Sequence, residues 1–276
     1  MRSMLIYIII SLTSKLPLNI LYVLSKIIYL INKIFIRYRL NIVRKNIINA
    51  YPKLTKKKTD LLISRFYKYF FRNIFEIIKA ISFSQHDVLE KIKIKNIETI
   101  EKSIKQNKSI ILIGSHYSNW EWIFLRISLI KNINLYAVYK PLSNYYFNEI
   151  LLKLRKKFGA NLIELNKWKY FIKKGKHSQS TFMFIADQVP NEKSNGKRLT
   201  FLNQSTLFYE GPEKTSYLLN ADVYYLDCQK IEKGCYLVSL NEINTKKVTE
   251  KYAALLEQTI NTNPENWLWS HNRWKR

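Results

Sequence analysis

The run Ser109-Ile110-Ile111-Leu112-Ile113, broken by Gly114-Ser115 and followed at once by His116-Tyr117-Ser118-Asn119-Trp120-Glu121-Trp122, constrains the fold more than any other stretch. A short, β-branched, unbroken apolar run suits a strand buried on both faces, as in largely parallel sheets covered by helices. Gly114 and Ser115 then let the chain turn. Ser118 or Asn119 is placed to cap a helix, with Glu121 in its first turn, where a carboxylate meets unpaired amides. On one continuous helix, residues five apart lie about 140° apart around the axis. His116 and Glu121 can therefore meet only if His116 sits in the turn before the helix. There Glu121 would accept a proton from one imidazole nitrogen and leave the other free as a base toward a hydroxyl or water. That is triad logic without a protein nucleophile. The same pattern alone also describes an ordinary loop histidine beside a helix-start carboxylate, so the rest of the chain must decide.

Beyond residue 90 the texture is strand, helix, strand, helix. Lys91 to Lys95 alternates like an edge strand, Glu98 to Gln106 reads as a helix, and Trp120 to Ile130 as the helix after the opening strand. Asn134 to Tyr139 is a strand, Ser143 to Phe158 a helix stopped by Gly159, Ala160 to Glu164 a strand, Lys167 to Lys174 a helix and Thr181 to Ile185 a strand. Such alternation predicts an α/β domain with a parallel or mixed sheet. Folds of this kind keep their chemistry in the crevice at the carboxyl ends of the strands. Three runs end there in polar signatures: Gly114-Ser115-His116, Tyr139-Lys140-Pro141 and Ala186-Asp187-Gln188. Asn191 to Leu199 reads as an exposed loop or lid, and Phe208 to Pro212 as the opening of a helix. Val223 to Lys230 and Tyr236 to Asn241 read as strands, and Thr245 to Asn261 as an amphipathic helix.

The N-terminal part is different. The apolar runs Met4 to Thr13 and Leu18 to Ile36 are interrupted by Lys15, Pro17, Lys26, Asn32 and Lys33, so neither is a clean span of about 20 residues. Lys15, Asn19, Tyr22, Lys26, Tyr29 and Lys33 recur at steps of three and four. They predict a basic, tyrosine-bearing stripe on a helix that lies in the membrane interface or spans it at a tilt. A core helix of a soluble domain shares that pattern. No small-residue cleavage site follows, against a signal peptide. Arg37 to Ala50 reads as a helix closed by Tyr51-Pro52, and Thr55 as the cap of a long aromatic-rich helix from about Lys56 to Ile81.

Lys and Arg outnumber Asp and Glu by 46 to 20, which points to an anionic membrane surface, an acidic partner or nucleic acid, or to a generally solvated basic surface. The charge is scattered, without an aromatic RNA-binding sheet motif, and no nucleic-acid partner is expected. Cys228 and Cys235 flank the turn signal Glu232-Lys233-Gly234 and read as reduced packing residues, which favours a cytosolic compartment. No glycine-rich phosphate loop, dinucleotide fingerprint or cluster of metal ligands is present. The closing Trp267-Leu268-Trp269-Ser270-His271-Asn272-Arg273-Trp274-Lys275 offers aromatic and cationic groups that either stack on a ligand or pack the tail onto the domain.

Taken in order, these stretches resemble one family: the bacterial late lipid A acyltransferases of the lauroyl and myristoyl type, within the lysophospholipid acyltransferase superfamily. His116 and Glu121 in GSHYSNWEW are similar to its histidine, four residues, acidic residue motif. Tyr139-Lys140-Pro141 is similar to its Tyr-Arg-Pro, with lysine in place of arginine. Arg155 with Phe158-Gly159, Asp187-Gln188 and the tryptophan-rich ending are similar to further family features. The resemblance runs from about Arg37 to the C-terminus. It implies an α/β fold with a mixed, largely parallel central sheet flanked by helices, and an N-terminal membrane-associated helix. Residues 1–36 would be the anchor or interfacial helix and 37–276 the acyltransferase domain.

It further implies transfer of a fatty acyl chain from an acyl carrier protein thioester to a hydroxyl of a membrane glycolipid, with no cofactor and no metal. The setting would be the cytoplasmic side of the bacterial inner membrane. His116 and Glu121 are the expected catalytic dyad. Lys140 and Arg155 are expected to contact phosphate or the oxyanion, and Asp187 to orient a substrate or a basic side chain. Gln188 and Asn119 are expected at the substrate. Lysine is a point charge where arginine offers a fixed fork, so the role of Lys140 need not match the family's. Competing readings are an acyltransferase for an aminolipid or other membrane lipid, a thioesterase-like hydrolase, and a non-enzymatic basic membrane or nucleic-acid-binding protein.

Overall fold

Helices cover both faces of a seven-stranded sheet in the computed structural model, which describes residues 2–175, 179–190 and 196–275, with side chains from residue 6. The elements, in chain order, are α1 (Arg2–Lys15), α2 (Leu18–Ile31), a π-helical turn (Asn32–Ile36), α3 (Leu40–Ala50), α4 (Lys56–Ala80), α5 (Gln85–Lys91), β1 (Ile92–Lys95), α6 (Ile97–Lys105) and β2 (Ile110–Gly114). Then come α7 (Trp120–Ser128), β3 (Leu135–Tyr139), α8 (Tyr145–Lys156), β4 (Asn161–Glu164), α9 (Trp168–Lys174) and β5 (Thr181–Ile185). The chain closes with β6 (Gly196–Phe201), β7 (Gln204–Tyr209), α10 (Gly211–Leu219), β8 (Asp222–Glu232), β9 (Cys235–Glu242) and α11 (Val248–Thr262).

The sheet order is β1-β9-β8-β2-β5-β3-β4. Strands β8, β2, β5, β3 and β4 run parallel, while β9 is antiparallel to β8 and pairs in parallel with β1. This is the mixed, largely parallel sheet expected from the alternation of elements. Every residue of β2 is buried. Ile111 and Ile113 enter the core formed with α3, α4 and α11, while Ile110 and Leu112 enter the core formed with α6, α7 and α8. Two-faced burial is why the run shows no alternation, and each such side chain stabilises the fold by about 1.5–3 kcal/mol.

Several local expectations are met. Thr55 caps α4, its hydroxyl accepting from Lys58 N at 3.4 Å. Cys228 lies opposite Val238 in the β8–β9 ladder and Cys235 opposite Glu232, so the two free thiols do not face one another. Two expectations are corrected. Leu199 and Phe208 belong to a second, two-stranded sheet, β6–β7, rather than to a loop and a helix start; residues 191–195 of the expected loop lie outside the described residues. Its turn residues Leu202 and Asn203 both have positive φ (49° and 59°), as a type I′ hairpin demands, but the pair lacks the glycine that usually marks one. Likewise, the helix expected from Arg37 begins at Leu40, because Arg37 and Arg39 adopt left-handed conformations (φ 49° and 50°) that no helix continues through.

The N-terminal helices pack on the domain along one side. Leu21, Tyr22, Ser25 and Tyr29 of α2 are buried at helical spacing. The Tyr22 hydroxyl donates to Glu76 Oε1 on α4 at 2.8 Å, and Tyr29 meets Ser64 at 2.9 Å. Thus Tyr22 and Tyr29, expected in an interfacial stripe, turn inward, where partners on α4 await their hydroxyls. The outward face carries Ile20, Val23, Ile27, Ile28, Leu30 and Ile31, all exposed. Leu18–Ile36, 19 residues of mean hydropathy 1.5, is long and apolar enough to cross a membrane, and 28% of it is buried. This apolar face supports the expected membrane association.

Candidate active site

Register brings the site together. β2 and β5 are parallel neighbours with Gly114 opposite Ile185, so the residues two beyond each strand end, His116 and Asp187, emerge side by side at the carboxyl edge. The loops part only after one further bond, from Ala186 N to Gly114 O. His116 lies before α7 rather than on it, as the spacing argument required.

Asp187, not Glu121, holds the imidazole. Its Oδ1 lies 2.7 Å from His116 Nδ1, and its Oδ2 accepts from His116 N at 3.0 Å and from Trp267 Nε1 at 2.9 Å. Burial alone would raise the pKa of this carboxyl. The facing imidazole, with the hydrogen bonds from the His116 ring, Trp267 and His116 N, outweighs it and holds Asp187 below the ordinary carboxylate value. An ionised carboxylate at Nδ1 fixes the tautomer with the proton there and leaves Nε2 as the basic nitrogen. At that nitrogen, the Gln188 side-chain amide nitrogen lies 3.2 Å away.

Glu121 is occupied elsewhere. Its two carboxylate oxygens accept from Arg155 Nε at 2.9 Å and Nη2 at 2.5 Å, and Trp120 Nε1 donates to it at 3.2 Å. Burial works against the Arg155 charge, but the Glu121 carboxylate prevails and raises its pKa. The expected His116–Glu121 contact is therefore replaced by an ion pair of Glu121 with Arg155, tying α7 to α8. The bidentate fit of guanidinium to carboxylate is the reason. The pair adjoins the site through Trp120, whose ring stands edge-on to His116 at 5.1 Å.

The remaining expected residues are sorted by burial. Asn119 is fully buried; its side chain caps α7 by accepting from Trp122 N and donates to Glu76 Oε2. Lys140 is exposed on the loop after β3 and makes no ion pair among the described residues. No group of three or more His, Cys, Asp or Glu among the described residues is arranged to hold a metal ion.

A cleft of about 430 Å³ opens beside His116, lined by Trp120 and Gln188, by the apolar Phe70, Ile74, Ile77, Leu142 and Leu268, and by Tyr38, Arg39, Asn73, Ser270 and His271. One wall is the C-terminal tail. Tyr117 and Trp267 form an antiparallel bridge, and Leu268 N donates to His116 O at 3.1 Å. The tail therefore packs onto the domain and walls the site. Burial pushes the pKa of His271 down to about 4. Arg39, Asn73 and Glu76 carry no motif that marks them in sequence. Glu76 is fully buried and accepts from Tyr22, Tyr236 and Asn119, linking the N-terminal arm to the cap of α7.

The model of the bacterial lipid A biosynthesis acyltransferase family matches residues 2–276. The chain belongs to that family. It is accordingly an acyltransferase of lipid A biosynthesis, with an acyl donor and a lipid acceptor as its substrates. No curated protein matches it. The site sets the His116 imidazole, its Nδ1 held on the Asp187 carboxylate, beside a largely apolar cleft.

Proposed function

We propose that the acyltransferase moves a fatty acyl chain from an acyl carrier protein thioester directly to a hydroxyl of a lipid A precursor, with His116 as general base. The acceptor hydroxyl enters at Nε2, displacing the Gln188 amide. His116 takes the proton as the oxygen attacks the thioester carbonyl. Collapse of the tetrahedral intermediate expels the carrier's thiolate, which recovers the proton from the imidazolium, so atoms and charges balance. Asp187 orients the ring and stabilises the imidazolium. Such assistance is worth roughly 10²- to 10⁴-fold. The observation that carries this reading is the 2.7 Å contact between His116 Nδ1 and Asp187 Oδ1 at the rim of the cleft.

Other residues take roles by position. Arg39, in the cleft, meets an anionic group of the acceptor, and Lys140 supplies positive charge for phosphate or the developing oxyanion from the neighbouring strand end. Glu121 and Arg155 act by holding α7 against α8 under the His116 loop. The excess of 46 basic over 20 acidic residues favours both an acidic carrier protein and an anionic bilayer. In this reading the enzyme works at the cytoplasmic side of the bacterial inner membrane, and the exposed apolar face of α2 supports its association with a bilayer. Mass analysis of lipid A from cells with the enzyme and from cells carrying the His116→Ala variant tests it. Loss of one acyl chain in the variant supports the assignment, and loss of a chain from another lipid class instead moves the acceptor elsewhere.

A further inference from the structure

A second cavity, of about 250 Å³, lies between the π-helical turn, α3 and α4; Lys33, Arg37, Arg44, Asp60 and Ser64 line it. Arg44 pairs with Asp60 at 2.8 Å, whereas Lys33 and Arg37 make no ion pair among the described residues. The segment joining the two cavities explains how neighbouring arginines come to serve different ones. Arg37 and Arg39 are both left-handed, with Tyr38 between them. Arg37 lines the second cavity and Arg39 the catalytic cleft. Tyr38 is the partition: its ring stacks on Phe70 of the cleft at 5.9 Å, and its carbonyl accepts from Tyr67 of the second cavity. Left-handed non-glycine residues such as Arg37 and Arg39 cost about 1–3 kcal/mol each, and such outliers concentrate at ligand sites. A π-helical turn is a second feature of that kind.

The rim identifies the occupant. Ile34, Phe35 and Ile36, adjoining Lys33 and Arg37, are 58%, 77% and 61% exposed, and they continue the apolar outer face of α2. An anion that carries hydrocarbon satisfies both halves, since guanidinium forks match phosphate oxygens and the exposed side chains match acyl chains. We propose that Lys33, Arg37 and Arg44 form a non-catalytic site for the phosphate of a bilayer lipid headgroup, whose chains lie along Ile34, Phe35 and Ile36. The site sets the enzyme on anionic membrane beside the cleft without entering the reaction. The proposal rests on the membrane association above, and neutral vesicles test that association separately.

The test is partition of the full-length enzyme onto phosphatidylcholine vesicles and onto phosphatidylcholine mixed with phosphatidylglycerol, at fixed ionic strength. The variant Lys33→Gln/Arg37→Gly removes two cations, and its glycine keeps the left-handed backbone at residue 37. Lys15→Gln/Lys26→Gln removes equal charge from the same arm outside the cavity. The first variant loses the preference for the anionic vesicles roughly tenfold, and the second keeps most of it, while both bind neutral vesicles and melt like wild type. Equal losses in the two variants would reduce the effect to diffuse attraction and overturn the site. Stabilisation of the wild type by inorganic phosphate, with no change in vesicle preference between wild type and the first variant, would reassign the anion to free phosphate. An unchanged vesicle preference with weaker use of the carrier-bound donor would reassign the cavity to the acidic carrier.

Discussion

At the scale of residues, the imidazole of His116 and the carboxylate of Asp187 depend on each other in a way that Glu121 and Arg155 do not share. Asp187→Asn keeps the shape but offers His116 an amide, which no longer enforces the tautomer with its proton on Nδ1. Acyl transfer falls by roughly 10²-fold or more, with little change in the melting temperature. Arg155→Ala does the reverse. It leaves the buried Glu121 carboxylate without its two guanidinium bonds, and stability drops by about 3 kcal/mol in thermal unfolding, with loss of activity following from loss of fold. His271 supplies a pH dependence. Its pKa lies near 4 in the fold against 6.5 ordinarily, so the unfolded chain binds the proton first as pH falls through that window. Stability is complete above about 6.5 and declines toward 4, and His271→Gln flattens the decline in melting temperature recorded across those pH values.

At the scale of elements, the arm made by α1 and α2 is coupled to the catalytic loop through one buried carboxylate. Tyr22 and Asn119 both donate to Glu76, one from the arm and one from the cap of α7. Tyr22→Phe removes a donor from a fully buried carboxylate and lowers stability by about 1–3 kcal/mol, measurable as a lower melting temperature in detergent. Gly234 makes the same junction tight: it has φ 73°, and a Cβ there would stand 2.9 Å from the Tyr22 hydroxyl.

Elements such as β2, β5, α4 and the cap at Thr55 were readable because each carries its own signal, an apolar run or a capping side chain. The β6–β7 hairpin was not, since its turn is a leucine and an asparagine where glycine is usual. The same division holds for the site. His116, Asp187 and Gln188 were readable because strand ends collect polar residues. The choice of Asp187 over Glu121 was not, because it depends on the Gly114–Ile185 register of two strands far apart in sequence. Nor was the pairing of Glu121 with Arg155, which depends on how α8 lies beside α7.

At the scale of the whole molecule, the apolar outer face of the arm runs on through Ile34, Phe35 and Ile36 to the cationic cavity, and Tyr38 separates that cavity from the cleft beside His116. In the proposed reading the lipid acceptor reaches the cleft from the bilayer, so membrane contact and turnover share a surface. Ile27→Asp/Phe35→Asp places two charges on the exposed face of the arm and leaves the buried contacts of α2 alone. Vesicle association is lost while the melting temperature in detergent stays near that of wild type. Should the arm be held instead by its packed side, association would survive the substitution.

The role of His116 unites these scales, and one rate measurement tests it most directly: acyl transfer from a carrier-bound donor to a lipid A precursor by His116→Ala, with its melting curve recorded alongside. A folded variant whose rate falls by roughly 10²- to 10⁴-fold is the outcome required of a general base. A folded variant that transfers acyl chains at nearly the wild-type rate would contradict the account.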